Sequence, residues 1–215
     1  MYIGRIVSVA QSPQGLLSAV YRVSSRSFPN RTAVLGENKV SIIPKAGHES
    51  DVQRNPYIAY NCVRIVRNGE VAVVTNGSQT DPIAEKIAMG YPARDALALS
   101  HLAMDYEKDD YNTPRVSAVI DQAAGEGWLA TVRDSGLEVQ KMPLAPGKFF
   151  YVATYEENSI SVDQGGACDF EDGAGACAFL LGGGVFAART NPVTAVAAVA
   201  GADGFSLHVE DVPAG

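Results

Sequence analysis

Apolar residues in the first half of the chain fall in short runs separated by turn residues, a pattern of strands. Tyr2–Ala10 is expected to form a strand, Ser12-Pro13-Gln14-Gly15 a turn, and Leu16–Val23 the hairpin partner. Ile58–Arg67 and Val71–Thr75 flank Asn68-Gly69-Glu70, a second hairpin signal. Ile6-Val7 and Val71-Ala72-Val73-Val74 place apolar groups on both strand faces, which requires cover on both sides. A sheet held between another sheet and a layer of helices meets that requirement.

Two helices are expected next. Asp81-Pro82 reads as an N-cap with proline at the first helical position, opening a short helix to about Ala88. Pro92 opens the second, with Ala96, Leu97, Leu99, Leu102, Ala103 and Met104 apolar and Arg94, His101 and Asp105 as its polar stripe. Strand patterns resume at Val116–Asp121, Trp128–Arg133, Leu137–Lys141 and Phe149–Tyr155. Residues 157–190 are the least readable, with a glycine-weakened helix over Gly175–Leu181. Val193–Ala200, a turn at Gly201-Ala202-Asp203-Gly204 and Phe205–Val209 form a last hairpin. Strands, then helices, then strands imply an α+β fold with large antiparallel sheets. With no linker-like stretch and no internal repeat, residues 1–215 are expected to form one domain.

Composition narrows the function. A formal net charge of −7 argues against nucleic acid as a partner. Arg5 interrupts the first apolar run and no run approaches the length of a membrane span, so neither a signal segment nor a membrane partner is expected. Three cysteines, Cys62, Cys168 and Cys177, form no framework and suit a reducing cytoplasm. Cys168 and Cys177 have no histidine close by in sequence, a poor pattern for zinc.

The charge is unevenly spread. Residues 1–36 hold four arginines and no acid, whereas the remainder holds 13 basic and 24 acidic residues. Three of those arginines lie in Tyr21-Arg22-Val23-Ser24-Ser25-Arg26-Ser27-Phe28-Pro29-Asn30-Arg31. Planar guanidinium forks with serine hydroxyls suit a phosphorylated small molecule, and a solvated loop with ordinary ion pairs is the alternative. A second candidate is Met104–Arg115, where Asp105, Glu107, Asp109 and Asp110 follow a helix end. Acids there oppose the helix dipole at roughly 0.3–1 kcal/mol each, so either a site carboxylate or a solvated turn must account for them. Thr75–Pro82 leads from strand to helix and suits either anion recognition or plain capping. Asn55–Cys62 sets Tyr60 and Asn61 within an apolar strand, as core or as pocket residues. His48, His101 and His208 read as structural or solvated, and neither a glycine-rich phosphate loop nor a GxSxG motif is present.

In order, Met1-Tyr2-Ile3-Gly4-Arg5, the Tyr21–Arg31 phrase, Asn55-Pro56-Tyr57 with Tyr60-Asn61-Cys62, and Asp105–Arg115 resemble the archaeal-type IMP cyclohydrolase family. The resemblance implies a four-layer αββα sandwich of the N-terminal-nucleophile-hydrolase type, with largely antiparallel sheets. It implies closure of 5-formamidoimidazole-4-carboxamide ribonucleotide (FAICAR) to IMP with loss of water, in purine biosynthesis. It assigns acid–base work to Glu107, charge stabilisation or orientation to Arg31, and a hydroxyl donor to Tyr60. It suggests Ser25 and Arg26 for the 5′-phosphate, and Asn61, Asn76, Asn112 and Arg115 for ribose or base. The partner is a mononucleotide, the protein is cytoplasmic and a possible homo-oligomer, and the chemistry calls for no metal or organic cofactor. Enzymes of this fold that cut amides use a terminal Thr, Ser or Cys. The sequence opens Met1-Tyr2, so ring closure without a covalent intermediate is expected. The alternatives are an amidohydrolase that processes itself at Gly77-Ser78 and a non-catalytic nucleotide-binding protein.

Overall fold

In the computed structural model, which describes residues 1–213, the doubly apolar strands pair into two wholly antiparallel sheets. The chain runs β1 (Ile6–Gln11), β2 (Leu17–Ser24), β3 (Arg31–Leu35), β4 (Lys39–Pro44), the single turn α1 (Asp51–Arg54), β5 (Tyr60–Val66) and β6 (Val71–Thr75). Helices α2 (Thr80–Ala88) and α3 (Ala93–Met104) come next. Then follow β7 (Arg115–Asp121), β8 (Glu126–Arg133), β9 (Gly136–Met142), β10 (Lys148–Ala153), β11 (Gly165–Ala167), α4 (Gly173–Gly182), β12 (Pro192–Gly201) and β13 (Gly204–Asp211). One sheet has the order β11-β10-β1-β2-β12-β13, and the other the order β3-β4-β5-β6-β7-β8-β9.

Side-chain alternation divides the interior into three apolar layers. Val7, Val9, Tyr21 and Val196 of the first sheet meet Cys62, Ala72, Val74 and Ala118 of the second between the sheets. Ile6, Ala10, Ala195 and Ala197 face outward onto α4, where Ala176, Cys177 and Leu180 cover them. Val71, Val73 and Val119 face outward onto Ile83 and Ile87 of α2 and Ala96 and Leu97 of α3. Ile6-Val7 and Val71 to Val74 therefore need apolar groups on both faces, because each face is removed from water.

Several expectations are corrected. The first strand begins at Ile6, because Gly4 turns the preceding residues at φ +82° and a Cβ there would lie 2.0 Å from Thr154 Oγ1. Strands β3 and β4 were not anticipated. β3 is an edge strand with Val34 and Leu35 exposed, so its sequence lacks the burial signature of its neighbours. Asp81 is not the N-cap of α2. That position is Gln79, and Asp81 lies in the first turn, where it pairs with Arg64 at 2.6 Å. Of the two readings left open for His101, structural or solvated, the first holds. It is fully buried, its Nε2 is 2.7 Å from Ser117 Oγ of β7, and burial, reinforced by Arg115, pushes its pKa down to about 3.

Arg22 is also fully buried and meets no carboxylate among the described residues. It donates instead to the carbonyls of Leu180, Leu181, Arg189 and Thr190 and to Ser24 Oγ, at 2.8–3.1 Å. These acceptors include the C-terminal turn of α4, where a cation is favoured. Arg22 thereby ties α4 and the segment after it to β2.

Because the folded-state pKa of His101 is depressed, its contribution to stability is complete above the ordinary histidine pKa and is lost as pH falls towards about 3. Urea unfolding at pH 7 and pH 4.5 is expected to show wild-type stability falling by roughly 2 kcal/mol more than that of His101→Gln. Equal losses in the two proteins would show that His101 protonates freely in the fold.

Candidate active site

One cleft collects the residues with the most chemistry. Its lining includes Arg5, Ser24, Ser25, Ser27, Arg31 and Glu107, with Phe28, Asn55, Tyr57, Ile58, Asp109, Tyr111 and Tyr155 completing the wall. About 440 Å³ of space lies within it, open mouth included. Arg31 starts β3, Ser24 ends β2 and Glu107 follows α3, so the cleft lies where both sheets end.

Arg5 and Glu107 form the centre. Arg5 donates both terminal nitrogens to the carboxylate, Nη2 to Oε2 at 2.7 Å and Nη1 to Oε1 at 3.1 Å, and Nη1 also donates to the Asn76 carbonyl at 2.9 Å. The Glu107 side chain is 1% exposed and that of Arg5 10%. Burial alone would lower the Arg5 pKa, but the adjoining Glu107 charge, with Tyr60 and Tyr21, carries it well above the usual value. Arg115 stands behind the pair, 3.8 Å from Glu107 Oε1, and burial lowers its pKa against the pull of Glu107. Its Nε donates to the Asp105 carbonyl at 2.8 Å and its Nη1 to Gln79 Oε1 at 3.1 Å.

Three of the four acids after α3 have partners, and the fourth, Asp110, is exposed. Asp105 takes a positive φ of 56° at the helix end and pairs with Lys108 at 2.6 Å. Glu107 turns inward to Arg5, its own N–H donating to the Thr113 carbonyl at 2.8 Å. Asp109 accepts from the N–H groups of Tyr111 and Thr113 and from Thr113 Oγ1, which folds the loop back. Gly77 lies close beneath: a Cβ there would come within 3.1 Å of Glu107 Oε1, 3.0 Å of Arg115 Nη1 and 2.7 Å of Gln79 Oε1.

Arg31 differs from its neighbours. It is 3% exposed and its Nε donates to the Phe28 carbonyl at 3.0 Å, while its terminal nitrogens meet no protein acceptor among the described residues. It therefore keeps donors for a ligand. Tyr60 is buried behind the cleft, outside its lining, and shares a 2.5 Å hydrogen bond with Tyr21 of β2; burial raises its pKa against the Arg31 and Arg5 charges. Tyr111 and Tyr155 meet edge to face at 6.2 Å, and Tyr2 tilts over Tyr155 at 5.7 Å, giving one wall an aromatic surface.

The remaining sequence-derived candidates lie in different places. Ser25 lines the cleft, though its Oγ already accepts from the Phe28 N–H at 2.9 Å. Arg26 is exposed, stacks over the Tyr2 ring at 4.3 Å and is outside the lining. Asn61 points the other way from Tyr60, as successive strand residues do. Its Nδ2 donates to Asp81 of α2 at 3.0 and 3.1 Å, and its Oδ1 accepts from Ser41, which commits it to the helix-covered face. Asn76 is fully buried, its side chain occupied by Pro114, Gln79 and Val116, so only its main-chain carbonyl reaches the centre, through Arg5. Asn112 is exposed with φ +48°, a turn position outside the lining. Arg115 supports Glu107 from behind.

Sequence reasoning missed Arg5, Tyr21, Tyr57 and Tyr155. Arg5 carried a usable signal, a cation at the head of an otherwise apolar strand in a stretch without acids. Tyr21 lay in an apolar strand, where an aromatic reads as core.

The family model described as IMP cyclohydrolase-like protein matches residues 2–204. An IMP cyclohydrolase of Methanosphaera stadtmanae is 49% identical over 198 residues, covering 92% of this chain and 94% of its own length. That of Methanocella arvoryzae is 53% identical over 162 residues, 75% of this chain and 77% of its own. That of Methanocaldococcus jannaschii is 44% identical over 172 residues, 80% of each. The likeness thus extends well past Arg115, where the phrases that carry the resemblance end, into the glycine-rich region and the final hairpin.

Removing Arg5 leaves the Glu107 carboxylate without its main partner inside the protein. Arg5→Met is expected to cost about 3–5 kcal/mol in urea unfolding, and Arg5→Met with Glu107→Gln to recover at least half of that loss. Additive losses in the double variant would show the two residues to be energetically independent.

Proposed function

The chain belongs to the IMP cyclohydrolase-like family, and from that premise we propose that it closes FAICAR to IMP in this cleft by general acid–base catalysis, without a covalent intermediate. The observation that carries the assignment of the cleft is the pairing of Arg31, with unengaged donors, and the Glu107 carboxylate on the walls of one cavity. Two facing sheets with helices on both outer faces support reading the fold as the N-terminal-nucleophile-hydrolase type. No helix of the described residues is long and apolar enough to cross a membrane, and three buried free thiols support a cytoplasmic setting.

The chemistry needs two proton movements and one charge-stabilising contact. The carboxamide nitrogen attacks the formyl carbon, a C–N bond forms, and the carbonyl electron pair moves to oxygen. That nitrogen loses one proton and the oxygen gains one. The resulting hydroxyl then leaves with a further proton as water, while the formamido nitrogen gives up its proton and a C=N bond forms. Both reacting groups belong to one molecule, so holding them in contact supplies much of the acceleration.

Glu107 takes the carboxamide proton and gives it to the developing alkoxide, then takes the formamido proton and gives it to the departing hydroxyl, ending as the carboxylate it began as. Each of its oxygens accepts one bond from Arg5 and keeps a second lone pair for this work. Arg5 fixes the direction of that carboxylate, and Asn76, through its carbonyl, fixes Arg5. Arg31 and the Tyr60 hydroxyl stabilise charge on the formyl oxygen, a role best filled by donors already held in position. Ser24, Ser25 and Ser27 offer hydroxyls to the 5′-phosphate, with Arg26 at the rim, and the Tyr111–Tyr155 wall offers a surface for the base. Arg115 acts through Glu107, and the Asn76 and Asn61 side chains take no part in binding. Gly77 belongs to the central strand-to-helix turn, and the residues before it contribute β1 to β6 together with Arg5, Tyr21, Arg31 and Tyr60. A self-processed form lacking them would have no such cleft.

Purified protein mixed with FAICAR, with IMP followed by absorbance, tests the reading. Glu107→Gln is expected to lower kcat by about 10²–10⁴-fold with IMP binding retained. Arg31→Lys is expected to lower kcat/KM by about tenfold or more, because an ammonium cannot reproduce a planar fork. Near-normal turnover in Glu107→Gln would remove Glu107 from the acid–base role.

A further inference from the structure

Tyr21 and Tyr60 lie in the apolar layer between the sheets, one from each sheet, with their hydroxyls 2.5 Å apart. Two hydroxyls bring two hydrogens to this single contact, so one hydrogen must go elsewhere. Tyr21 is fully buried and its oxygen has no other hydrogen-bond partner among the described residues. The charged groups acting on it are Arg5 and Arg31, which are donors only. If Tyr60 donated to Tyr21, the Tyr21 hydrogen would be stranded in the interior. The favourable arrangement is the reverse, with Tyr21 donating and Tyr60 accepting. Tyr60 is 8% exposed, and among the charges acting on it are Arg31 and Arg5, both of which line the cleft. Its own hydrogen then has no acceptor among the described residues, and Tyr60 stands directly behind the cleft lining rather than in it.

We propose that Tyr21 is a positioning residue for ring closure: by donating to Tyr60 it turns the Tyr60 hydroxyl hydrogen towards the formyl oxygen of the substrate. This rests on the reading of Tyr60 as a donor to that oxygen. Tyr21 touches no substrate, and its influence passes through one hydrogen bond between the sheets. No proton leaves Tyr21, and the bond changes made in the reaction are those of the substrate alone.

Steady-state kinetics with FAICAR on Tyr21→Phe, Tyr60→Phe and the double variant test the proposal. Tyr60→Phe is expected to lower kcat by about 10²-fold, the effect of losing one oriented donor. Tyr21→Phe is expected to lower kcat by about 5–10-fold with KM within about twofold of wild type, as a lost orientation rather than lost binding would. In the Tyr60→Phe background, adding Tyr21→Phe is expected to change kcat by less than about twofold, because nothing remains to orient. The double variant leaves no orphaned hydroxyl, and retained IMP binding reports its fold. Unchanged kcat in Tyr21→Phe, or equal fold-losses from Tyr21→Phe in both backgrounds, overturns the role of Tyr21 while leaving Tyr60 its own. Wild-type kcat in Tyr60→Phe overturns the donor reading of Tyr60, and the positioning role falls with it.

Discussion

A buried ion pair between Arg5, at the head of the first strand, and Glu107, in the loop after α3, is the contact on which the site depends. Two charges taken out of water are tolerated only when each satisfies the other with good geometry and further hydrogen bonds. Here the two-point contact, the Asn76 carbonyl and the supporting Arg115 meet that condition. The pair also joins elements that nothing in the chain order would bring together: the start of β1, the turn after β6 and the loop before β7. Its geometry sets the direction of the only lone pairs that Glu107 has left to offer a substrate.

The same economy of partners runs through the surrounding residues. A helix end followed by acids is unfavourable in isolation. It is stable here because Asp105 meets Lys108, Glu107 meets Arg5, and Asp109 holds the N–H groups of its own loop. The four early arginines, three of which suggested a phosphate loop, divide into different duties. Arg5 orients a carboxylate, Arg22 ties a helix end to a strand, Arg26 stacks on a tyrosine at the surface, and Arg31 alone keeps its terminal donors unengaged inside the cleft.

Much of the architecture was legible because two-faced burial leaves a mark on composition. Val71 to Val74 had to be covered on both sides, and the sheets and helices around β6 do so. Edge strand β3, exposed at Val34 and Leu35, left no such mark. His101 takes the structural one of the two readings its sequence left open, and the Asn61 side chain is engaged away from the cleft, for a related cause: each faces a neighbouring element that supplies its partner, Ser117 for one and Asp81 for the other.

The sequence by itself determined the class of fold, the family and the identity of an arginine and a glutamate worth testing, since apolar periodicity and unusual residue phrases are local properties of the chain. Tertiary structure alone decided which groups share a cavity, which cations retain donors and which tyrosine faces which. Those facts depend on where separate strands end in space and on how many hydrogen bonds each group has already made. No local pattern records either quantity, because partners such as Arg5 and Glu107 are brought together only when both sheets have closed on a common core.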